Sequence, residues 1–235
     1  MAARRPVRGR LELLDGILAE MAQDGPSGEK IAQLSEGLPI VAFDFDGTLT
    51  THDSFTAFLK WRASPGRYGL GLARLAPSAL AYLVHRDRGR IKAAAVREFL
   101  KGLPRAELEA QARAFAEAAN KRLLRPDAVR AWEAWGREPV RRVIVTASPD
   151  VVVAPFAQAL GADALIGTRL AFDREGRVAG GFETPNCRGP EKVARLKAAF
   201  GPDLELKAAY GDTGGDREML ALAETAGYRV FTEAP

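Results

Sequence analysis

Hydrophobic and polar positions change rhythm twice along the chain. Residues 39–43, Pro-Ile-Val-Ala-Phe, form a short apolar run that ends on acids, the pattern of a parallel strand buried on both faces. From 54 to about 135 the rhythm is helical and rich in Ala, Leu, Arg and Glu. Breaks at 64–66, Pro77, Gly89, 102–104 and Pro126 predict at least four helices there. Strand-like runs return at 142–146, 164–168, 207–210 and 228–232, with helical stretches between the first two, after Pro190 and at 217–224. Residues 169–182, with Gly176, Gly180 and Gly181, predict a small hairpin. Strands alternating with helices predict an α/β fold: a three-layer, Rossmann-like parallel sheet covered on both faces. Residues 1–38 read as an N-terminal extension with one amphipathic helix near 11–21, ended by a turn at 24–28.

Composition narrows the chemistry. Of 235 residues, 47% are hydrophobic and 27% charged, which excludes disorder over the whole chain. Cys187 is the single cysteine and cannot form an internal disulfide, which fits a reducing, cytoplasmic setting. With only His52 and His85 beside it, a structural zinc site is not expected, and a metal would be a hard cation held by carboxylates. The basic start lacks a long apolar core, so no secretory signal is read. The net charge of +4 hides a division. Residues 51–140 hold 17 Lys and Arg against 9 Asp and Glu, and the remainder holds 17 against 21. A basic block in an acidic frame points to an anionic partner.

The strongest local signal is Asp44-Phe-Asp-Gly-Thr-Leu-Thr50, directly after the first strand. Asp44 and Asp46 lie where open α/β sheets bind ligands, and Gly47 lets the backbone of Gly47 and Thr48 approach an anion. The plainer reading is two acids closing a strand in solvent. A second cluster, Tyr210-Gly-Asp-Thr-Gly-Gly-Asp216, again places acids after an apolar strand. Asp212 can supply a second carboxylate for Mg²⁺, and Asp216 can hold a metal-bound water or cap the next helix. Between the clusters, Thr146 offers a hydroxyl and the following backbone N–H of Ala147 to a phosphate. Ser148 can join it or cap the next helix. Lys192, near a helix start, is a point charge suited to a phosphoryl group.

The order Asp-x-Asp-Gly-Thr, strand-Thr, Lys, Gly-Asp-x-x-x-Asp, running from residue 44 to 216, resembles the haloacid dehalogenase-like superfamily. Segments 51–60, 186–193 and 211–220 are similar to bacterial phosphatidylglycerophosphatases and the phosphoserine-phosphatase-like hydrolases around them. The resemblance implies a phosphatase with residues 39–50 and 141–235 as core and 51–140 as an inserted helical cap. It implies Mg²⁺ held by Asp44, Asp46, Asp212 and Asp216, and an aspartyl-phosphate formed on Asp44. Asp46 would be general acid and base, with Thr146 and Lys192 offsetting phosphoryl charge. In serine-phosphate members the third-motif base directly precedes a Gly, the place of Arg188. In members with Gly-x-x-Lys it is the lysine, so Lys192 is preferred and Arg188 is a substrate contact. Those serine-phosphate members carry Ser where Gly47 stands and Asn where Gly215 stands, which makes phosphoserine a poor first choice.

The expected substrate is a phosphorylated small molecule or a lipid head group such as phosphatidylglycerophosphate. Arg62, Arg67 and Arg74 precede the apolar run 75–84, and Arg86, Arg88, Arg90 and Lys92 follow it. That pattern suits peripheral contact with an anionic membrane at its inner face; the alternative is a helix buried in the cap's own bundle. His52 and Asp53 open the insert beside the catalytic acids and are candidate substrate contacts or helix caps. A module binding nucleic acid is not expected, since neither interleaved aromatics nor a zinc pattern accompanies the basic block.

Overall fold

A computed structural model describes residues 37–85 and 88–235, with 82–85 described by their backbone alone. The extension over 1–36, with its expected helix and turn, lies outside the described residues. The chain divides at Leu38/Pro39, and residues 39–235 form one compact unit.

The elements run β1 (Ile40–Phe43), α1 (Ser54–Arg62), α2 (Pro65–His85), α3 (Arg88–Leu100), α4 (Arg105–Leu123), α5 (Pro126–Trp135), β2 (Arg141–Pro149) and α6 (Asp150–Ala159). There follow β3 (Ala164–Thr168), β4 (Leu170–Phe172), β5 (Val178–Phe182), α7 (Pro190–Phe200), β6 (Leu206–Gly211), α8 (Arg217–Leu220) and β7 (Ala223–Tyr228). Five strands form one parallel sheet in the order β3-β2-β1-β6-β7. This is the expected α/β architecture. Strand alternation explains the continuous apolar run of β1. Val41 and Phe43 join the cluster containing Trp132 of α5 and Phe156 of α6, while Ile40 and Ala42 join Leu196 of α7 and Met219 of α8.

The helical insert leaves and re-enters the core side by side. Thr50 and Leu124 form an antiparallel bridge, and Thr51 N–H donates to Leu123 O at 2.9 Å. Rings carry the packing from insert to core: Phe58 meets Phe115 at 5.6 Å, Phe115 meets Phe156 at 5.8 Å, and Phe156 meets Phe45 at 5.5 Å. The last helix of the 51–140 segment, α5, sits on the sheet itself. Trp132 lies edge-on to Phe43 at 5.1 Å and donates its Nε1–H to Leu160 O.

Several boundaries differ from the sequence expectation. Pro77 lies inside α2 and does not end it; there the helix runs on without that residue's i→i−4 bond, whereas the break expected at Gly89 falls beside the boundary between α2, ending at His85, and α3, beginning at Arg88. The strand expected at 142–146 continues to Pro149, because after a bulge Pro149 pairs again with Thr168 of β3. The last strand is 223–228, not 228–232, and the helix before it spans only 217–220. Arg229 has φ 55, which ends β7, and Phe231 folds back onto Phe43 and Tyr210. Among the described residues no helix is long and apolar enough to cross a membrane.

Candidate active site

Strand order reverses at β1: the chain next builds β2 and β3 on one side, then crosses to β6 and β7 on the other. The C-terminal ends of β1 and β6 therefore open a crevice that connecting segments do not fill. Asp44 N–H donates to Tyr210 O at 2.9 Å, which keeps the end of β1 in register with β6 and brings the two acidic motifs together.

After Asp44 the chain makes a wide turn over Phe45–Leu49. Gly47 has φ +88, and a Cβ there would strike the Asp212 carboxylate. Glycine is thus required twice, for the left-handed backbone and for the approach of the second motif. Asp44 is buried, and its Oδ2 accepts from Thr48 Oγ1 at 3.3 Å. Its Oδ1 accepts from Lys192 Nζ at 2.5 Å. Lys192, 1% exposed, places its remaining donors on Val145 O at 2.6 Å and Asp216 Oδ1 at 2.8 Å. Burial pushes the Asp44 carboxyl up to about 7, although Lys192 pulls it back. For Lys192, burial lowers the amine, but the Asp44 and Asp216 charges outweigh it and hold it above its ordinary value.

Asp216 does not cap α8; its side chain turns back into the loop. Oδ2 accepts from Thr213 N at 2.9 Å, Thr213 Oγ1 at 3.0 Å and Asp212 N at 3.3 Å. Burial raises its carboxyl, yet Lys192 and these bonds hold it below the usual range. Asp212 differs. Its Oδ1 is buried with no hydrogen-bond partner, and burial followed by Asp216 raises its carboxyl.

Oxygens of Asp44, Asp212 and Asp216 lie within 4.8 Å of one another. A set of hard oxygens, one of them an unpartnered buried carboxylate atom, fits a divalent cation such as Mg²⁺. Asp44, Asp212 and Asp216 would hold it, and Asp216 also orients Lys192 and the loop through its hydrogen bonds. Asp46 is not in that group. Its Oδ1 accepts from Ser54 N at 2.6 Å, and its Oδ2 accepts from Ser148 Oγ at 2.5 Å and Thr146 Oγ1 at 3.3 Å. Burial, with Asp53 next, raises the Asp46 carboxyl; Lys92 and the Ser148 hydroxyl pull it back.

A cavity of about 230 Å³ opens above these groups. Gly47, His52, Asp53, Ala147 and Arg188 line it together with Asp44, Asp46, Lys192, Asp212 and Asp216. Thr48, Thr146 and Ser148 lie behind the wall, where Thr48 supports Asp44 and the other two hold Asp46. Ser148 therefore does not cap α6, whose N-cap is Pro149. Asp53 does cap α1, accepting from Thr56 N at 2.7 Å. The exposed His52 ring bonds Thr51 Oγ1. Arg188 NH1 donates to Thr213 Oγ1 at 3.2 Å. A Cβ at Gly215 would strike the Arg188 side chain, so this glycine makes the room Arg188 occupies. A larger cavity of about 580 Å³, beside Asp150 and Phe172, contains none of these acids.

Five wall residues lie outside the set expected from the sequence: Thr51, Arg88, Lys92, Asn186 and Thr213. The sequence groups Lys92 with the charges flanking the apolar run of α2. Instead its Nζ donates to Ala147 O at 3.2 Å and lies 3.8 Å from Asp53 Oδ2. Arg88 and Lys92 are one helical turn apart on α3, and that i, i+4 spacing was the available signal.

An α/β sheet with a helical insert after its first strand, and paired acids facing a buried lysine at the switch point, defines the class. The chain belongs to the haloacid dehalogenase-like hydrolase family, which matches residues 41–221. Protein CicA of Caulobacter vibrioides (strain NA1000 / CB15N) is 60% identical over 196 residues, covering 83% of this chain and 88% of that protein. In fold, the chain is similar to a protein of unknown function from Bordetella pertussis Tohama I, with TM-score 0.66, 21% identity, and 80% and 87% of the two chains covered. It is also similar to a phospho-aspartyl intermediate analogue of phosphoserine phosphatase, with TM-score 0.53, 20% identity, and 80% and 85% covered.

Proposed function

We propose that the protein is a Mg²⁺-dependent phosphomonoesterase working through an aspartyl-phosphate on Asp44. The observation that carries the reading is the placing of the buried Asp44 carboxylate against Lys192, within one oxygen cluster with the unpartnered Asp212. When bound, Mg²⁺ supplies positive charge that draws the phosphate toward the carboxylate and offsets charge on its oxygens.

An Asp44 oxygen attacks phosphorus, and the bond from phosphorus to the substrate's alcohol oxygen breaks. Asp46, its carboxyl held above the ordinary range by burial, carries a proton to the departing alkoxide. Asp46, now ionised, takes a proton from water, whose oxygen attacks phosphorus. Asp44 is released with inorganic phosphate. The Ser148 and Thr146 hydroxyls and Ser54 N–H hold Asp46 in place through both halves. Lys192 offsets the charge on Asp44 and the transferred group. Support from relatives is in kind: one solved neighbour is a phosphoserine phosphatase with a phospho-aspartyl analogue.

Arg88, Lys92, His52 and Arg188 on the cavity wall favour a substrate with negative charge beyond the transferred phosphate. A lipid head group such as phosphatidylglycerophosphate and a soluble phosphorylated metabolite both meet that requirement. The lipid would be met at the inner face of the membrane and the metabolite in the cytoplasm. Release of phosphate from an aryl phosphate with Mg²⁺ tests the reaction, and a panel of soluble and lipid phosphates tests the substrate. Full turnover by Asp44→Asn, or in excess chelator, overturns the mechanism.

A further inference from the structure

The helix α2 presents an unusual surface. Its 21 residues contain no Asp, Glu or Lys. Its two arginines are both tied to α3: Arg67 NH1 lies 2.7 Å and Arg74 NH1 3.3 Å from Glu98 Oε1. The same side packs closely, since Gly71 is buried against the Phe99 ring and Tyr68 meets that ring at 5.7 Å. The opposite side faces outward and is apolar. Leu72 is 50% exposed and Leu80 66%, with Leu70 at 49% on its edge and exposed Ala73 and Ala76 between them. A surface helix ordinarily shows charged residues there. Contiguous exposed leucines on an otherwise packed cap mark a contact surface.

Charge selects the partner. Exposed Lys60 precedes α2 at the end of α1, exposed Arg88 and Arg90 follow it on α3, and the helix itself carries no acid to oppose an anion. A second copy meeting this face two-fold would set the same basic rim against itself. A bilayer with anionic head groups receives the leucines in its acyl boundary and the basic rim in its head groups. Arg88 also lines the catalytic cavity, and it lies three positions beyond His85, the end of α2, a reach of at most about 10 Å.

We propose that the outward face of α2 docks on an anionic bilayer and sets the cavity mouth at head-group level. Docking needs no chemistry at Asp44; only its use in presenting a phosphorylated head group rests on the phosphatase reading. The test is flotation of the full chain with vesicles of phosphatidylglycerol and phosphatidylcholine, and with phosphatidylcholine alone. Wild type is expected to float with the anionic vesicles and to be released by salt. Leu72→Ser/Leu80→Ser should bind about tenfold more weakly, as expected when two leucines no longer leave water. Unchanged thermal unfolding of that variant shows that it is folded. Binding to neither vesicle, or equal binding by the double variant, overturns the proposal. So does a concentration-dependent dimer abolished by the double variant without any vesicle binding. Asp44→Asn should float like wild type. In wild type, absence of hydrolysis with flotation intact counts against the catalytic reading alone, and hydrolysis without flotation counts against docking alone.

Discussion

Lys192 Nζ lies 2.5 Å from Asp44 Oδ1 with both side chains nearly sealed from water, at 1% and 9% exposure. The amine also holds Asp216 and the middle of β2 through Val145 O, so one side chain ties three elements at the floor of the site. Such a pair contributes little net stability when whole, but removing one member leaves buried charge uncompensated.

Lys192→Met should therefore lose roughly 3–5 kcal/mol of stability in denaturant unfolding. Phosphatase turnover should fall by about a hundredfold or more, the scale seen when a charge stabiliser is removed. Arg188→Ala, at the rim, should leave stability nearly unchanged. Equal losses in the two variants would count against Lys192 as the floor of the site.

A second prediction concerns metal and pH. The Asp44 carboxyl is pushed up to about 7 by burial, against 3.8 for the free side chain. A raised folded-state value means that the metal-free protein is favoured by protonation. That contribution is complete below about 4 and is lost as pH rises through about 7. Mg²⁺ requires the ionised form, so its binding releases protons and strengthens with pH. The Mg²⁺-induced rise in unfolding temperature should be larger at pH 8 than at pH 5.5, and Asp212→Asn should remove most of it. The same rise at both pH values would contradict the assignment of Asp44 as a ligand.

How far the site was legible depended on whether a residue's neighbours in sequence are also its neighbours in space. Asp44 and Asp212 each follow an apolar strand, and the end of a strand at a switch point is a place as well as a pattern. Lys92 offered no such marker. On a helix rich in Arg and Lys, its spacing from Arg88 does not tell an inward face from a solvated one. Thr146 and Ser148 were legible as site residues but not as the holders of Asp46, because their hydroxyls act across 100 and 102 residues of chain. The edge strand β7 was hidden for another reason. Its Ala-Glu-Thr-Ala-Gly-Tyr sequence is exposed along most of one side and lacks an apolar run, while the apolar positions just after it pack as a tail.

Ser148 donates to Asp46 Oδ2 at 2.5 Å and pulls down a carboxyl that burial raises. Ser148→Ala removes that pull, so the Asp46 proton should be held to higher pH. The limb of the pH–rate profile that needs ionised Asp46 should move alkaline, and kcat should fall about tenfold at neutral pH. Unfolding temperature should change little beside that effect. An unmoved profile would assign Ser148 to packing alone.

The wall of the cavity makes a prediction about what the phosphate is attached to. Lys92 comes from the insert, reaches across to Ala147 O on β2, and lies 3.8 Å from Asp53. It is 18% exposed, so its charge is screened less than that of a free surface lysine. It touches none of the cluster formed by Asp44, Asp212 and Asp216, and its place is toward the non-reacting part of a substrate. Lys92→Met should therefore raise KM about tenfold for a phosphomonoester bearing a second anionic group, with kcat nearly kept. An aryl phosphate without that group should show KM within about twofold of wild type. Arg88→Met should follow the same pattern, and the pair should be less than additive if both hold one anion. A fall in kcat for both substrates would place Lys92 in the chemistry instead, acting through Asp46, whose carboxyl it helps to lower.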